Sequence, residues 1–293
     1  MSSNPTRGTV LINFALLLVA ALGIGLLLYP QAAEWFASRN QAAEISGYTE
    51  GVRDTPQHEL DEKLAAARAY NSTLSPGILE DPYLATDPDE IARTPIFQTY
   101  ERLLRVTGTD AIGRVSYPRL DIDLPIYHGT SDPVLAKGVG HMFGTSVPVG
   151  GASTHSVLTA HSGLARAKLF TPLLKAEVGD VFAVDVLGQA LYYRVDRTET
   201  VEADQQVDLR VYEGQDRLTL FTCTPIGVNS HRFMVYAQRI TPEEADVGGA
   251  LSGREGPGFP WWLVWGILGL IAVALLLFWP GRRRKKEPEQ SVC

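Results

Sequence analysis

Cys223 is the first residue in this chain whose type and position could do covalent chemistry. It ends Arg217–Cys223, a run whose alternation is typical of a β-strand, and Thr224 and Pro225 stop the strand directly after it. A side chain at a strand end is exposed and is held in place by a rigid element. The other cysteine, Cys293, ends the chain. From its position, Cys223 is either a nucleophile or a buried structural cysteine.

A nucleophilic cysteine needs a proton donor or acceptor and benefits from a nearby cation. Arg232 begins the next strand, and an antiparallel return would bring its guanidinium beside Cys223; the alternative is a surface or barrel-lining charge. The chain has six histidines: His58, His128, His141, His155, His161 and His231. His161 follows an apolar run at another strand end and is favoured as the acid or base. The pattern alone leaves His141 and His231 as competitors.

Other kinds of site find little support in the sequence. There is no C-x-x-C or H-x-x-x-H pair that would indicate a metal site. There is also no glycine-rich phosphate loop, no dinucleotide fingerprint and no G-x-S-x-G elbow. The sequence therefore predicts neither a metal nor a cofactor.

Two long uncharged runs predict two membrane-spanning helices. Val10–Tyr29 and Trp261–Trp279 each match the roughly 20 apolar residues that a helix needs to cross a bilayer. Five basic residues at 282–286 predict that the end of the chain is cytoplasmic, and Arg7 places the N-terminus on the same side. Residues 30–260 are then outside the cell. A cleaved signal peptide is the alternative for the first run, which is longer than the usual apolar region of such a peptide.

The predicted outer portion is acidic. Without the basic residues of the two tails and the two acids of the C-terminal tail, 20 basic and 31 acidic residues remain, a formal net charge of −11. This charge excludes an electrostatic basis for nucleic-acid binding. An acidic surface could attract a cationic partner such as a lysine amine, although a solvated surface is the simpler interpretation.

The outer portion begins with helical sequence and continues with short strands. Gln31–Arg53 has helical composition, and Pro56–Tyr70 predicts a helix with Leu60, Leu64 and Ala67 on one buried stripe. Asn71–Pro95 predicts a long irregular loop, Leu164–Lys175 could hold a short helix, and Thr241–Pro260 predicts a linker. The predicted strands are Gly113–Tyr117, Leu124–Tyr127, Ser156–Thr159, Val181–Val186, Leu191–Val195, Leu218–Cys223 and Phe233–Ile240. Strands of this length and spacing favour a closed barrel or a sandwich.

The residues around Cys223 resemble a known family. Thr219–Cys223 (TLFTC) matches the TLxTC signature of the sortases, and Thr224–Arg239 resembles the class C, pilin-polymerising branch of that family. Three further runs resemble the same branch in order and spacing: Leu124–Thr130, Gly138–Ser146 and Thr154–Gly163. The resemblance is close over about residues 93–240, and it extends loosely to the two predicted anchors.

The resemblance implies roles for individual residues. Cys223 corresponds to the nucleophile of the family, His161 to its acid and base, and Arg232 to the residue that stabilises the oxyanion. The neighbouring Thr222 and Thr159 are predicted to contact substrate.

A second motif of the family concerns access to the site. Asp81, Pro82 and Tyr83 match a lid motif that covers the empty site in class C relatives, with the acid toward Arg232 and the ring over Cys223. The alternative is an ordinary exposed acidic loop.

Two positions depart from the pattern of the family. Ser162 stands where relatives often have arginine, and Ile226 where they often have tyrosine. Both lie beside the predicted site, so the departures concern substrate preference rather than chemistry.

The implied fold is mainly β, a sortase-type closed barrel with N-terminal helices, flanked by two transmembrane helices. The expected order is a cytoplasmic tail (1–9), a span (10–29), a helical segment (30–73), a lid loop (74–95), the catalytic barrel (96–243), a linker (244–260), a second span (261–279) and a basic cytoplasmic tail (280–293). The barrel is expected to lie outside the cell and both termini in the cytoplasm.

The implied activity is that of a cysteine transpeptidase. It would cleave an LPxTG-like sorting signal at Thr–Gly and join the acyl group to a lysine amine of another pilin subunit, or to the peptidoglycan cross-bridge. The alternatives are a housekeeping sortase that attaches surface proteins to the cell wall, a papain-like hydrolase, and a non-catalytic surface protein with a buried Cys223. The predicted barrel pattern disfavours the papain-like hydrolase.

Overall fold

A computed structural model describes residues 7–74, 94–205, 207–245 and 256–279. The chain divides into two compact units, residues 1–32 with 259–293, and residues 33–258. The predicted lid triplet Asp81, Pro82 and Tyr83 lies outside the described residues, and so do most of the predicted linker, the N-terminal tail up to residue 6 and the whole predicted C-terminal tail.

Six α-helices and eight strands are described. The helices are α1 Arg7–Asp54, α2 Gln57–Thr73, α3 Pro95–Arg102, α4 Asp132–Leu135, α5 Pro242–Ala245 and α6 Trp261–Phe278, with 3₁₀ turns at Pro118–Leu120 and Thr171–Lys175. The strands are β1 Gly113–Tyr117, β2 Ile122–His128, β3 Val139–His141, β4 Thr154–Thr159, β5 Val181–Val186, β6 Gln189–Glu202, β7 Asp216–Thr224 and β8 His231–Ile240.

The eight strands close into a barrel in the order β1-β2-β3-β4-β7-β8-β6-β5. The pairs β2–β3 and β4–β7 are parallel and the other pairs are antiparallel. Inward-facing residues of β7 and β8, such as Leu218, Leu220, Val235 and Ala237, are completely buried in one apolar core. The prediction of a closed β-barrel is confirmed, and the alternative of a sandwich is wrong.

All seven predicted strands exist, and two have the predicted bounds. Strand β3 was not predicted, because Val139–His141 has only three residues and glycine interrupts it, so it shows no period. The predicted helix Leu164–Lys175 is reduced to the 3₁₀ turn at Thr171–Lys175, which Pro172 starts.

The helices before the barrel complete its core. Leu60, Leu64 and Ala67 on α2 are buried in the barrel's apolar cluster, as their spacing predicts. At the C-terminal end of α2, the Asn71 side chain donates to the Val147 carbonyl (3.0 Å) and accepts from the Val147 amide (2.8 Å). These contacts hold α2 against the segment that follows β3.

Helix α1 continues from the first apolar run into the predicted helical segment through Pro30. Its later half packs closely on the barrel unit. The Tyr48 hydroxyl accepts from the Leu187 amide at 2.6 Å, and a Cβ on Gly51 would lie 2.7 Å from the Thr107 carbonyl oxygen. Glycine is needed at position 51 because the backbone of the barrel unit approaches the helix there.

The other unit contains the two apolar helices. Both are long and apolar enough to cross a membrane. The Asn13 side chain donates to the Leu277 carbonyl (2.7 Å), the Phe14 and Phe278 rings meet edge to face, and Gly266 lies beside Leu28. The early residues of α1 therefore face the late residues of α6, so the two helices pack antiparallel.

Candidate active site

Cys223 and Arg232 face each other across a strand pair. They are register partners in the antiparallel pairing of β7 with β8, which puts both side chains on the same face of the barrel wall. Both residues are partly exposed. The structure thus brings the predicted nucleophile and the predicted cation together, as the antiparallel return requires.

His161 lies on the other side of Cys223. Strands β4 and β7 pair in parallel with a constant offset of 62 residues, and continuing that register beyond β4 places His161 beside Cys223. Side-chain bonds tie the two strand ends together around this point. The Thr222 hydroxyl donates to the Ala160 carbonyl (2.7 Å), and the Ser162 hydroxyl donates to the carbonyl of Cys223. The ends of β4, β7 and the start of β8 therefore line up an imidazole, a thiol and a guanidinium.

The loop between β7 and β8 holds the guanidinium. Arg232 Nη1 donates to the Asn229 carbonyl at 3.2 Å, and the Asn229 amide donates to the Pro225 carbonyl at 2.9 Å. Asn229 has a φ of 58°, a left-handed conformation that asparagine adopts more easily than most residues. The loop thus turns back on itself and presents a carbonyl oxygen to the arginine.

The electrostatic surroundings of His161 favour a neutral imidazole. Partial burial lowers the pKa of His161, and the Arg166 cation lowers it further, while the Asp132 carboxylate raises it. The net shift is downward, so most of the imidazole is unprotonated at neutral pH.

His141, which the sequence pattern left open as an alternative to His161, is held inside the protein by hydrogen bonds. It is completely buried, Nδ1 lies 2.9 Å from the Tyr100 hydroxyl, and Nε2 lies 2.9 Å from the Ser146 carbonyl oxygen. Burial lowers the pKa of His141 to about 4. The His141 side chain is therefore enclosed in the interior of the barrel unit, away from Cys223.

The four remaining histidines have surroundings that differ from those of His161. His231 pairs with Thr224, adjacent to Arg232 but on the alternate side of β8, and contacts the Ser230 hydroxyl. His155 is buried between the Thr219 hydroxyl and the Arg210 carbonyl, His128 is buried against Tyr100, and His58 is exposed on α2. Within the described ranges, no three His, Cys, Asp or Glu side chains group closely enough to hold a metal ion.

Thr222 and Thr159 lie opposite each other's neighbours in the β4–β7 pair, and their contact with substrate stays a prediction. Both side chains are buried, and both hydroxyls donate to backbone carbonyls across the β4–β7 pair, Thr222 to Ala160 and Thr159 to Phe221 (3.1 Å). Their hydroxyls are thus engaged within the barrel wall. They hold β4 on β7 and so set the position of His161 beside Cys223.

A buried apolar cluster that was not predicted from the sequence lies next to the site, on the side of β7 and β8 that also carries Cys223 and Arg232. A second hydrophobic cluster, separate from the barrel core, consists of Met142, Val157, Val201, Leu209, Phe221, Met234 and Tyr236. Phe221 and Met234 are paired across β7 and β8, each two residues from the Cys223–Arg232 pair. The segment after β6 packs on this cluster through Val207 and Leu209, near Arg232. The strand period of two, counted back from Cys223, could have identified it.

The two departures from the family pattern both contact the site. Ser162 is buried, with its hydroxyl on the Cys223 carbonyl, whereas Ile226 is exposed at the start of the β7–β8 loop. Ile226 packs on Gly163, which has a φ of 71°, and a Cβ on Gly163 would lie 2.3 Å from Ile226 Cγ2. The chain after His161 therefore accepts the loop only because residue 163 has no side chain.

Comparisons with known proteins agree with this geometry. Residues 115–240 match the family model described as Sortase domain. Among solved structures, the chain is 43% identical to sortase C-1 from Actinomyces oris (62% of this chain and 99% of that chain covered, TM-score 0.57). It is 39% identical to sortase C of Streptococcus pneumoniae (67% and 96% covered, TM-score 0.59). It is 35% identical to a lid mutant of sortase A from Corynebacterium diphtheriae (66% and 100% covered, TM-score 0.59).

Curated relatives are more distant. The chain is 28% identical to sortase D of Bacillus subtilis over 134 residues, which cover 45% of this chain and 65% of that protein. It is 26% identical to sortase A of Listeria monocytogenes over 127 residues, which cover 43% of this chain and 55% of that protein. The chain thus spans less than two thirds of the length of either curated relative.

Proposed function

Because the chain belongs to the sortase family, whose members are cysteine transpeptidases, we propose that it cleaves an LPxTG-like sorting signal between Thr and Gly and joins the acyl group to a lysine amine of another pilin subunit. The observation that carries this proposal is the strand register that puts Cys223 between His161 and Arg232. The pilin substrate is inferred from relatives: one is the sortase C1 of a pilus island, and the work on the pneumococcal sortase C concerns its pilin substrate specificity.

In the first half of the reaction, the Cys223 thiolate attacks the carbonyl carbon of the threonine. The negative charge that develops on the carbonyl oxygen is stabilised by the Arg232 guanidinium. His161, in its protonated form, gives a proton to the departing glycine nitrogen as the C–N bond breaks. The product is a thioester on Cys223 and a free glycine amine.

In the second half, the acceptor amine attacks the thioester. Starting from the ammonium form, one proton goes to solvent, the nitrogen forms a C–N bond, and the second proton goes to His161. The C–S bond breaks and Cys223 leaves as a thiolate, so His161 again carries the proton that the next cycle needs. No cofactor takes part in this sequence of steps.

The proposal also includes the location of the enzyme. Two apolar helices near the termini suggest membrane anchoring. The basic residues at 282–286 and Arg7 support a two-pass arrangement with both termini in the cytoplasm and the barrel outside. The barrel would then meet secreted proteins as they leave the membrane.

A lid is the remaining part of the proposal. Asp81, Pro82 and Tyr83 lie outside the described residues, so the proposal rests on their match to the lid motif of class C relatives and on the naming of one relative as a lid mutant. Asp81 would pair with Arg232, and the Tyr83 ring would cover Cys223.

The experiment that tests the function uses the full-length protein in detergent micelles. It is incubated with an LPxTG peptide and a lysine-containing pilin peptide, and cleavage and transfer products are quantified for the wild type and for Cys223→Ala. The expected result is cleavage at Thr–Gly with formation of an isopeptide product, both absent in Cys223→Ala. Activity that persists in Cys223→Ala, or a wild type that neither cleaves nor transfers, would overturn the proposal.

The same assay addresses a housekeeping sortase, which the similarity to sortases named A favours as the second candidate. A peptide that mimics the peptidoglycan cross-bridge replaces the pilin peptide as the acceptor. Preferential transfer to the cross-bridge amine would favour the housekeeping role over pilus assembly.

A further inference from the structure

A carboxylate lies near His161 on an element that the proposed mechanism does not use. Asp132 begins the short helix α4, which connects β2 to β3. The helix is closed by backbone bonds, from the Ala136 amide to the Asp132 carbonyl (2.9 Å) and from the Gly138 amide to the Val134 carbonyl (3.1 Å). The position of Asp132 is therefore fixed relative to Gly138 and the start of β3.

The strand register brings this helix next to His161. Strands β3 and β4 are antiparallel, with Gly140 opposite Thr159. Continuing this pairing by two residues puts Gly138 opposite His161. Because β3 and β7 flank β4 on opposite sides, α4 approaches His161 from the side away from Cys223. Helix α4, which Asp132 begins, and the residues His161, Cys223 and Arg232 thus follow one another around the rim of the barrel.

The negative charge of the Asp132 carboxylate is available to a ligand near His161. The residue is exposed, and its carboxylate raises the pKa of the His161 imidazole, in agreement with the approach of α4 to His161. Lys137, the nearest basic residue along the chain, is held elsewhere: its Nζ lies 3.8 Å from Asp110 Oδ2 and 4.1 Å from the centre of the Tyr127 ring. Arg166 is the cation that opposes Asp132 at His161, and it too is exposed.

We propose that Asp132 binds the ammonium group of the acceptor lysine and delivers it to the thioester beside His161. The inference rests on the proposed transpeptidation and names the residue that selects a cationic acceptor. Attack needs the amine to lose a proton, and both the imidazole that accepts a proton and the carboxylate that attracts the ammonium are found on the same side of the thiol. An acceptor held between them is close to both.

The binding step precedes the chemistry and changes no bond. The ammonium pairs with the Asp132 carboxylate, gives one proton to solvent, and attacks the thioester carbon as a neutral amine. The second proton passes to His161 as the C–N bond forms and the C–S bond breaks. Water and other uncharged nucleophiles would gain nothing from the carboxylate, so the contact favours transpeptidation over hydrolysis.

The test compares two acceptors on Asp132→Asn in the full-length protein. One is a lysine peptide, which is cationic at neutral pH, and the other is hydroxylamine, which is uncharged there. Removal of the carboxylate also alters His161, but that effect is common to both acceptors, so the ratio of their second-order rates isolates the contact. We expect this ratio to fall about five-fold in Asp132→Asn, as for the loss of an exposed ion pair. Asp132→Glu should restore most of it.

Two further observations complete the test. The lysine-to-hydroxylamine ratio of the wild type should fall with increasing salt, and that of Asp132→Asn should not. Glu62→Gln, which removes an exposed carboxylate from α2, is the matched control and should leave the ratio unchanged.

An unchanged ratio in Asp132→Asn, with or without equal slowing of both acceptors, would overturn the inference. Failure of the proposed function is distinguishable, because the wild type would then not cleave the donor peptide with any acceptor.

Discussion

At the residue scale, the site depends on three side chains that come from three strand ends. Each alone has an ordinary alternative: a structural cysteine, a buried histidine, a surface arginine. What distinguishes them is that Cys223 has Arg232 opposite on one neighbouring strand and His161 alongside on the other. The position of Cys223 and the approach of Arg232 could be predicted from strand alternation and a hairpin return.

The choice of histidine could not be predicted from the sequence pattern. His141 and His161 both follow short strand sequences, and only the register of β4 on β7 separates the partly exposed ring from the fully buried one. That register depends on contacts between residues that are about 60 positions apart in the chain. A local sequence pattern carries no information about such contacts.

The pH dependence of acylation is predicted from the charges around His161. Acylation needs the imidazolium form, so its rate should decline as the pH rises through the pKa of His161. Arg166 lowers this pKa and Asp132 raises it. Arg166→Gln should therefore move the declining limb to higher pH, and Asp132→Asn should move it to lower pH. Single-turnover thioester formation against pH measures both.

A suitable control for this profile is Arg53→Gln, which removes an exposed cation from α1. This variant should show the decline of the acylation rate at the same pH as the wild type. If the declining limb does not shift in Arg166→Gln and Asp132→Asn, or shifts in the same direction in both variants, then His161 does not supply the proton.

At the element scale, the pairing of β4 with β7 is the feature on which the site depends most. The two strands are parallel, so no tight turn sets their register, and buried side-chain bonds supply part of it. Thr159 and Thr222 both donate to carbonyls of the partner strand. The longer strands were predictable because they alternate in polarity, whereas the three-residue β3 was not.

Thr222→Val tests this role. The change keeps the shape of the side chain and removes the donor to the Ala160 carbonyl, the residue before His161. We expect the free energy of unfolding to fall by about 1–3 kcal/mol, since a buried carbonyl loses its partner, and kcat to fall as well. Chemical denaturation and peptide cleavage measure the two effects.

Thr159→Val is the matched control, because it removes an equivalent bond one residue further from the thiol. It should cost similar stability with a smaller loss of kcat. Equal losses of kcat in the two variants would mean that the bond next to His161 has no special role in positioning it.

The proposed lid is an element whose effect can be measured at the thiol. If Asp81 pairs with Arg232 and Tyr83 covers Cys223, then Asp81→Ala combined with Tyr83→Ala should speed the reaction of Cys223 with a thiol reagent. Asp87→Ala combined with Tyr29→Ala changes the same residue types outside the Asp81–Tyr83 motif and should not. An unchanged rate of Cys223 labelling in the variant with both Asp81→Ala and Tyr83→Ala would count against a lid over the site.

At the scale of the whole molecule, the chain joins two candidate membrane helices to a barrel that carries the site. The sequence predicted both apolar helices closely, because long uncharged runs are its strongest signal. It did not predict that α1 continues without a break from the first run to Asp54, since Pro30 usually ends a helix.

The stability of the barrel unit should depend on pH through its buried histidines. Burial lowers the pKa of His141 to about 4 and that of His128 to about 3, from an ordinary value of 6.5. Both side chains stay neutral in the fold, so the unfolded chain binds more protons below pH 6.5. The free energy of unfolding should therefore fall as the pH drops from 6.5 towards 4, by about 3 kcal/mol for His141 alone.

Thermal unfolding of the detergent-solubilised protein across this pH range measures the loss. His141→Gln should reduce the pH dependence even though it lowers stability at neutral pH, because one of the titrating groups is gone. A wild type whose unfolding temperature stays level between these pH values would contradict the buried, neutral state of both rings.

The central claim is that Cys223 forms a thioester with the donor peptide, assisted by Arg232. Intact-protein mass spectrometry of the full-length chain, mixed with an LPxTG peptide and no amine, tests it most directly. The account predicts an adduct with the mass of the peptide up to its threonine, on Cys223, released by hydroxylamine, absent in Cys223→Ala and formed about 10²–10³-fold more slowly in Arg232→Gln. An adduct on another residue, or none in the wild type while the peptide is cleaved, would contradict it.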